Sequence, residues 1–493
     1  MITFLNRVNL NLKQFLGLLG ALLIFIVSLC LPSFDFISVG GIRTIGLLVS
    51  FLVILITSAL PVVVTSILFI GLVSMSLGTS PEAPALGLKS LQSSLHYSLS
   101  GFSEPVVYFT LASFGLTAAI TTTPLSKRIL KGLLKLFGNN IQTVILAIMI
   151  TACLISSLIS NVPTCAVFSG IAINFLDLYD KEEDKKKTGK ALMIAIPIAS
   201  MIGGMMTPAG SSINLMAIGI LEKTCGVTIS FVQWMIAGVP LAIVMLPLSW
   251  LLVCKIYKPV QVGKEKIKSF ADNLDVPSKI TPNEIKTIVI ALSMLVLWIL
   301  SSWFSFFNVM IISVLGCALL FMPGIQVLDV KTFLKENSWD AFFLVATVIT
   351  LGGAMSDFGV MKLIGDSLPT LNMNTILMFM IVCLITFVCL VIDPVATSLV
   401  SILGPILISI GALTVINGNS QIDSGLATLI VLAFSFCLCN CYLLPLDTVP
   451  LITYSKGYYS MFDMFKCTII LQSILTVLIS LWIPVVGIMF RLI

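Results

Sequence analysis

The sequence predicts an all-α polytopic membrane protein built from two inverted repeats, with about 11 transmembrane helices and two re-entrant hairpins. Three observations predict it. Of 493 residues, 58% are apolar and 10% are charged, with a mean hydropathy of +1.12; soluble domains carry roughly 25% charged residues. Apolar runs follow one another along the chain, most near the ~20 residues that cross a bilayer. Four of those runs are interrupted at their centres by Pro, Gly or polar residues, two in each half of the chain.

The elements follow in order. Runs at 15–31, 42–58 and 60–78 open the chain. The first follows Arg7 and Lys13, but no small-x-small site closes it and further spans follow. It is therefore expected to be a transmembrane helix and not a signal peptide. After a span at 105–125, the run 142–176 is too long for one helix and centres on Ser160-Asn161-Val162-Pro163. The run 191–221 is broken from Gly203 to Asn214, and 231–254 ends the first half. Residues 255–286 are polar, with Lys-Glu-Lys-Ile-Lys, Asp-Asn and Pro282. Spans at 286–305 and 308–323 precede a second set: 341–360, then 374–413 around Asp393-Pro394, then 425–455 broken around Pro445 to Pro450, then 466–490. The expected units are helices in 1–104, a first repeat at 105–254, a cytoplasmic linker at 255–285 and a second repeat at 286–493. If the two long runs return to their own side, Lys+Arg divides 22 inside to 5 outside. That bias is what the positive-inside rule expects. It places the N-terminus in the cytoplasm and the C-terminus outside the cell (inner) membrane.

Composition excludes several functions. Net charge is only +5 with dispersed basic residues, so no nucleic-acid partner is expected. The 12 Cys lie mostly within apolar runs and act as small hydrophobes, and Cys437, Cys439 and Cys441 follow no metal-site spacing. His96 is the only histidine, and no nucleophile–base pair or paired-Asp protease motif is visible, so no enzyme is expected.

The interrupted centres carry the chemistry. Irregular backbone at membrane depth is tolerated only where protein buries it or a water-filled cavity meets it. In the first long run, Ser156, Ser160 and Asn161 offer oxygens suited to a hard cation such as Na+, and Pro163 removes a backbone donor and disfavours helix at Val162. The following half-helix offers N–H groups to an anion. A simple Ser/Pro kink is the alternative. The first broken run holds Gly203, Gly204, Thr207, Pro208 and Asn214; close helix packing accounts for the glycines but not for Pro208 or the polar cluster. In the second half, Asp393 and Asp447 are intramembrane carboxylates with no nearby Lys or Arg in the sequence. They bind a cation or hold protons, unless one lies at a solvated span end. Asp357 is placed near the end of its helix and outside the core site.

These residues resemble the divalent anion:sodium symporters (dicarboxylate, citrate and sulfate carriers). The resemblance runs from about Leu60 to Ile488. It rests on Gly101-Phe102-Ser103-Glu104-Pro105, Ser160-Asn161, Gly203-Gly204-Met205-Met206-Thr207-Pro208 with Asn214, and Pro445-Leu446-Asp447-Thr448-Val449-Pro450 followed by Gly457-Tyr458. It implies a scaffold and a moving transport domain, a homodimer, an elevator motion and two sodium sites. Ser156, Ser160, Asn161, Gly203 and Gly204 match the first sodium site. In the second half the Ser-Asn-Thr motif is replaced by Asp393-Pro394-Val395, and Leu451 stands where Asn is common. The two motif threonines are Val162 and Val395, leaving Thr164, Thr397 and Thr448 as the nearby hydroxyls. The expected cation ligands are thus Ser156, Ser160, Asn161, Gly203, Gly204, Asp393 and Asp447. The expected substrate residues are Asn161, Thr164, Thr207, Pro208, Asn214, Pro394, Thr397, Thr448 and Pro450. The expected function is Na+-driven uptake of a small anion such as a di- or tricarboxylate. The alternative is an H+-coupled carrier or Na+/H+ antiporter-like protein using Asp393 and Asp447 as proton sites. A channel suits the paired broken helices less well.

Overall fold

The computed structural model describes residues 11–304, 306–366, 375–393, 395–416 and 419–492. Arg7 and Pro394 lie outside the described residues. The chain opens with α1 (Leu12–Cys30), α2 (Val39–Thr57), α3 (Val62–Gly78) and a short α4 (Leu91–Ser98). The first half continues with α5 (Pro105–Thr122), α6 (Leu125–Phe137), a hairpin of α7 (Ile141–Leu158) and α8 (Asn161–Leu176), a broken helix of α9 (Glu182–Gly204) and α10 (Ser212–Cys225), and α11 (Phe231–Tyr257). Next come α12 (Lys264–Asp272), α13 (Pro282–Leu300), α14 (Val309–Leu319) and α15 (Val330–Glu336). The second half has α16 (Trp339–Asp357), α17 (Val360–Asp366), a hairpin of α18 (Thr375–Ile392) and α19 (Ala396–Ala412), a broken helix of α20 (Ser424–Cys439) and α21 (Thr448–Tyr454), and α22 (Met461–Met489).

Among the described residues, eight helices are long and apolar enough to cross a membrane, and six shorter apolar helices include hairpin legs and half-helices. Both long runs divide where the sequence predicts, at Ser160 and at Asp393. The structure adds a two-stranded antiparallel ribbon, Leu413–Ile416 with Asn419–Ile422, between α19 and α20.

Packing repeats between the halves. α9 packs on both legs of the first hairpin and on α11; α20 packs on both legs of the second hairpin and on α22. α8 meets α21, and α19 meets α10. α11 and α22 pack on each other. Exchanging the halves maps each of these pairs onto another or onto itself, which is the pattern of a two-fold internal repeat. The entry to the first repeat is fixed from the second: Gly101 N–H donates to Thr350 Oγ1 on α16 at 3.0 Å. Pro105 occupies the first position of α5, where its missing N–H is harmless. α1 touches the rest chiefly through α2, by small-residue contacts such as Gly17 against Thr57. Its Leu19, Leu22, Leu23 and Ile26 stay exposed, as suits a helix whose solvent is lipid.

One element was hidden in the basic stretch after α5. α6 is amphipathic: Leu130 and Leu134 are buried, while Lys127, Arg128, Lys131 and Lys135 lie on its polar side. The linker wraps that polar side. Arg128 donates to both oxygens of the buried Glu284 (2.7 and 3.0 Å), and Lys131 donates to the Asp272 carbonyl (3.0 Å). Part of the polar segment is therefore folded, as α12, which packs on α6.

Removing either partner leaves a charge without its counter-ion. Arg128→Ala or Glu284→Ala should each lower the melting temperature, Glu284→Ala less because the Arg128 guanidinium it leaves behind still reaches solvent. The double variant should lose less than the sum, read from thermal melts of purified protein as a double-mutant cycle.

Candidate functional site

The tip of the first hairpin is a two-residue turn. Ile159 and Ser160 are extended, and α8 starts at Asn161. Val162 is helical, contrary to the sequence expectation. Pro163 is the third residue of α8, where the N–H it lacks has no intrahelical partner to lose. Pro450 occupies the same third position in α21.

Asn161 points into the first broken helix. One end of its amide lies 2.7 Å from Ser156 Oγ and 3.0 Å from the carbonyl oxygens of Ser200 and Gly210. Two carbonyls demand a donor, so this end is the NH2. The amide oxygen then faces the Cys439 thiol of the second half at 4.0 Å. Gly204 makes room for this side chain: a methyl group there would sit 2.7 Å from Asn161 Cγ. A methyl group on Gly203 would meet the Cys153 carbonyl oxygen at 2.2 Å. Both glycines are the last turn of α9 and not part of the loop, which spans only 205–211.

The loop is tied to the hairpin. Thr207 Oγ1 donates to the Ser157 carbonyl (2.6 Å) and accepts from Gly210 N–H (3.1 Å). Asn214, inside α10, reaches back and donates to the Gly204 and Thr207 carbonyls (2.8 and 3.0 Å). Its own Oδ1 is fully buried and has no donor among the described residues. Asn440, at the end of α20, is similar. Its amide nitrogen donates to Phe436 O (2.8 Å) and contacts Met205 Sδ (3.2 Å), and its Oδ1 is likewise without a donor. Each of these two buried amide oxygens is an acceptor left open among the described residues.

The second half uses carboxylates instead. Asp447 Oδ2 accepts from Ala396 N–H at the start of α19 (3.2 Å), and Oδ1 accepts from Val449 N–H and Thr448 Oγ1 at the start of α21 (3.3 Å each). Asp393 accepts from Val395 N–H (3.3 Å) and from Ser398 Oγ. Both acids therefore close the N-terminus of α19, where the helix dipole favours negative charge. Asp447 is buried and Asp393 half-buried.

The structure thus gathers Ser156, Asn161, Gly203, Gly204, Thr207, Pro208 and Asn214 at one hairpin–loop junction, and Asp393, Thr397, Asp447, Thr448 and Pro450 at the other. The two junctions touch. Cys439 Sγ donates to Met201 O (3.7 Å), Cys165 Sγ donates to Val449 O (3.4 Å), and Trp234 packs on Phe436 while donating to Met205 O (3.1 Å). Thr164 is buried with its hydroxyl turned to Ser160 O (3.1 Å), away from any neighbouring element. Thr448 is exposed. Asp357 accepts from Tyr97 OH (2.8 Å), apart from both junctions. Sequence reasoning missed Ser200, Ala396, Ser398, Cys439 and Asn440. The only available signal was Asn440 itself, an amide within an apolar run.

Comparison with known proteins identifies the family. The family model for the sodium:sulfate symporter transmembrane region matches residues 12–492.

The chain belongs to that family. Relatives are distant. A Haemophilus influenzae "uncharacterized transporter" is 24% identical over 413 residues, covering 81% of this chain and 84% of that one. The Staphylococcus aureus protein named sodium-dependent dicarboxylate transporter SdcS is 24% identical over 385 residues, covering 73% and 71%. Among solved structures, the Neisseria gonorrhoeae MtrF fold aligns with a TM-score of 0.54 at 11% identity, over 87% of this chain and 95% of that one. The Alcanivorax borkumensis YdaH transporter aligns with a TM-score of 0.52 at 12% identity, over 83% and 90%. These two likenesses concern the fold.

Gly203→Ala should be the more severe glycine change, since its methyl meets backbone, whereas Gly204→Ala meets a side chain that can rotate. On the sodium site proposed below, both should weaken Na+ binding, Gly204→Ala by roughly 5- to 100-fold as Asn161 loses its seat. Isothermal titration of purified protein with NaCl against choline chloride checks this.

Proposed function

We propose that this protein is a secondary active transporter that couples inward Na+ movement to uptake of a small anion of the dicarboxylate type. Membership of a sodium symporter family supports the ion. The name of the staphylococcal relative supports the substrate class. The single observation that carries the reading is the contact between two hairpin–loop junctions, one closed by neutral amides and hydroxyls and the other by two carboxylates, inside an apolar helical core.

The residues divide the work. Ser156, Ser160, Asn161 and the Gly203-Gly204 segment hold one Na+. Asp393 and Asp447 hold the second cation, which offsets the mutual repulsion of two carboxylates at one helix start. The substrate sits between the hairpin tips, near Asn161, Thr207, Pro208, Thr397 and Thr448. Alternation is of elevator type, with 1–104 as part of the scaffold, repeats at 105–254 and 286–493, and a homodimeric assembly in the cell membrane. The basic face of α6 and the linker is cytoplasmic by the positive-inside rule. Nothing in the comparisons supports the proton-coupled alternative.

Proteoliposomes given an inward Na+ gradient and no pH gradient should accumulate labelled succinate, with K+ or choline giving background. Asn161→Ala should remove most of this uptake. Asp447→Asn should raise the Na+ concentration needed for half-maximal uptake by about tenfold or more, since one unit of ligand charge is lost. Uptake that follows a pH gradient and ignores Na+ would overturn the assignment.

A further inference from the structure

We propose that the N-terminus of α6 is a second anion-binding site, a waypoint for an oxyanion on the basic face of the protein, separate from the core. A cavity of about 440 Å3 lies between the α5–α6 corner and α8. Thr121, Thr123, Ser126 and Lys127 line one wall, and Gly170 and Asn174 line the other.

The chemistry at this corner has one sign. α6 starts after Pro124, which offers no side-chain cap, so the first-turn N–H groups of α6 remain open. The negative end of α5 is blunted: Thr121, Thr122 and Thr123 donate their hydroxyls to the carbonyls of Thr117, Ala118 and Ile120 (3.0, 2.7 and 3.0 Å). Ser126 is 4% exposed, lines the cavity, and makes no hydrogen bond among the described residues. Its hydroxyl opens onto the cavity, where it can donate to an acceptor held there. Lys127 adds a full positive charge; its one carboxylate neighbour, Asp275, is 3.9 Å away with a side chain 99% exposed. No carboxylate lines the cavity. Helix N-terminus, free hydroxyl and ammonium together select an oxyanion, carboxylate or sulfate.

Its position gives it a use. The exposed residues of α8 form one stripe, Val162, Ala166, Gly170 and Asn174, at four-residue spacing. The stripe runs from the hairpin tip to the cavity, and Gly170 faces open space, with nothing within 4 Å of where a methyl group would stand. That the bound anion is the transported one rests on the function proposed above; the site itself does not.

The test uses the full chain in detergent, at low ionic strength in Na+-free choline buffer, with inorganic sulfate and succinate as probes. Wild-type protein should show a saturable rise in melting temperature at millimolar anion without Na+. Lys127→Gln and Ser126→Ala should each raise the apparent dissociation constant at least ~5-fold, with unliganded melting unchanged, and Lys127→Arg should retain binding. Asn161→Ala should leave this Na+-independent component intact. Wild-type protein without it, or Lys127→Gln and Ser126→Ala binding like wild type, would overturn the proposal. Should the component persist while Na+-driven uptake fails, the core assignment falls and the α6 site stands.

Discussion

A helix broken at mid-membrane leaves N–H and C=O groups that lipid cannot satisfy. This protein contains two such breaks and two hairpin tips, and its core is arranged around closing them. Each tip is closed by the loop of its own half. Thr207 joins the first loop to the Ser157 carbonyl, and Asp447 joins the second loop to the Ala396 N–H. Because hairpin and loop share these bonds, each pair forms one unit, and the two units meet through Cys439, Asn440, Met201 and Met205.

The halves match in layout and differ in charge. The first break is closed by neutral amides and hydroxyls, the second by two carboxylates. Backbone N–H groups and helix dipoles compensate only part of one buried and one half-buried carboxylate. On the proposed reading, a cation near Asp393 and Asp447 completes the balance, and its departure leaves the second unit with uncompensated charge. That difference between loaded and empty states is the kind of energetic contrast on which ion coupling depends.

The apolar shell is distributed with the same logic. α9 and α20, which carry the breaks, are buried along almost their whole apolar lengths, while α1 and α13 expose Leu, Ile and Val along one side. The hairpin tips and second loop expose apolar side chains as well, Val162 at 39% and Leu446 at 42%, so the surface beside the charged cluster is mixed in character.

The sequence by itself determined the class of fold, the order of its elements and the sites of both breaks. Those follow from local properties: a run of apolar residues has a length, and Pro163, Gly203 or Asp393 interrupts it wherever the chain folds. It also marked Asn161, Thr207 and Asp447, because polar atoms in a membrane span need partners. It did not mark Ser200, Ala396 or Asn440 as those partners, nor α6 as a folded helix with its own open N-terminus. Partnership is decided by which distant segments are brought within about 3 Å. Ala396 contributes only a backbone N–H, which every residue but proline carries, and Ser126 became distinctive only by being buried at a cavity wall without a partner. Whether a given oxygen is satisfied or orphaned is a property of the packed whole, and only the tertiary structure could decide it.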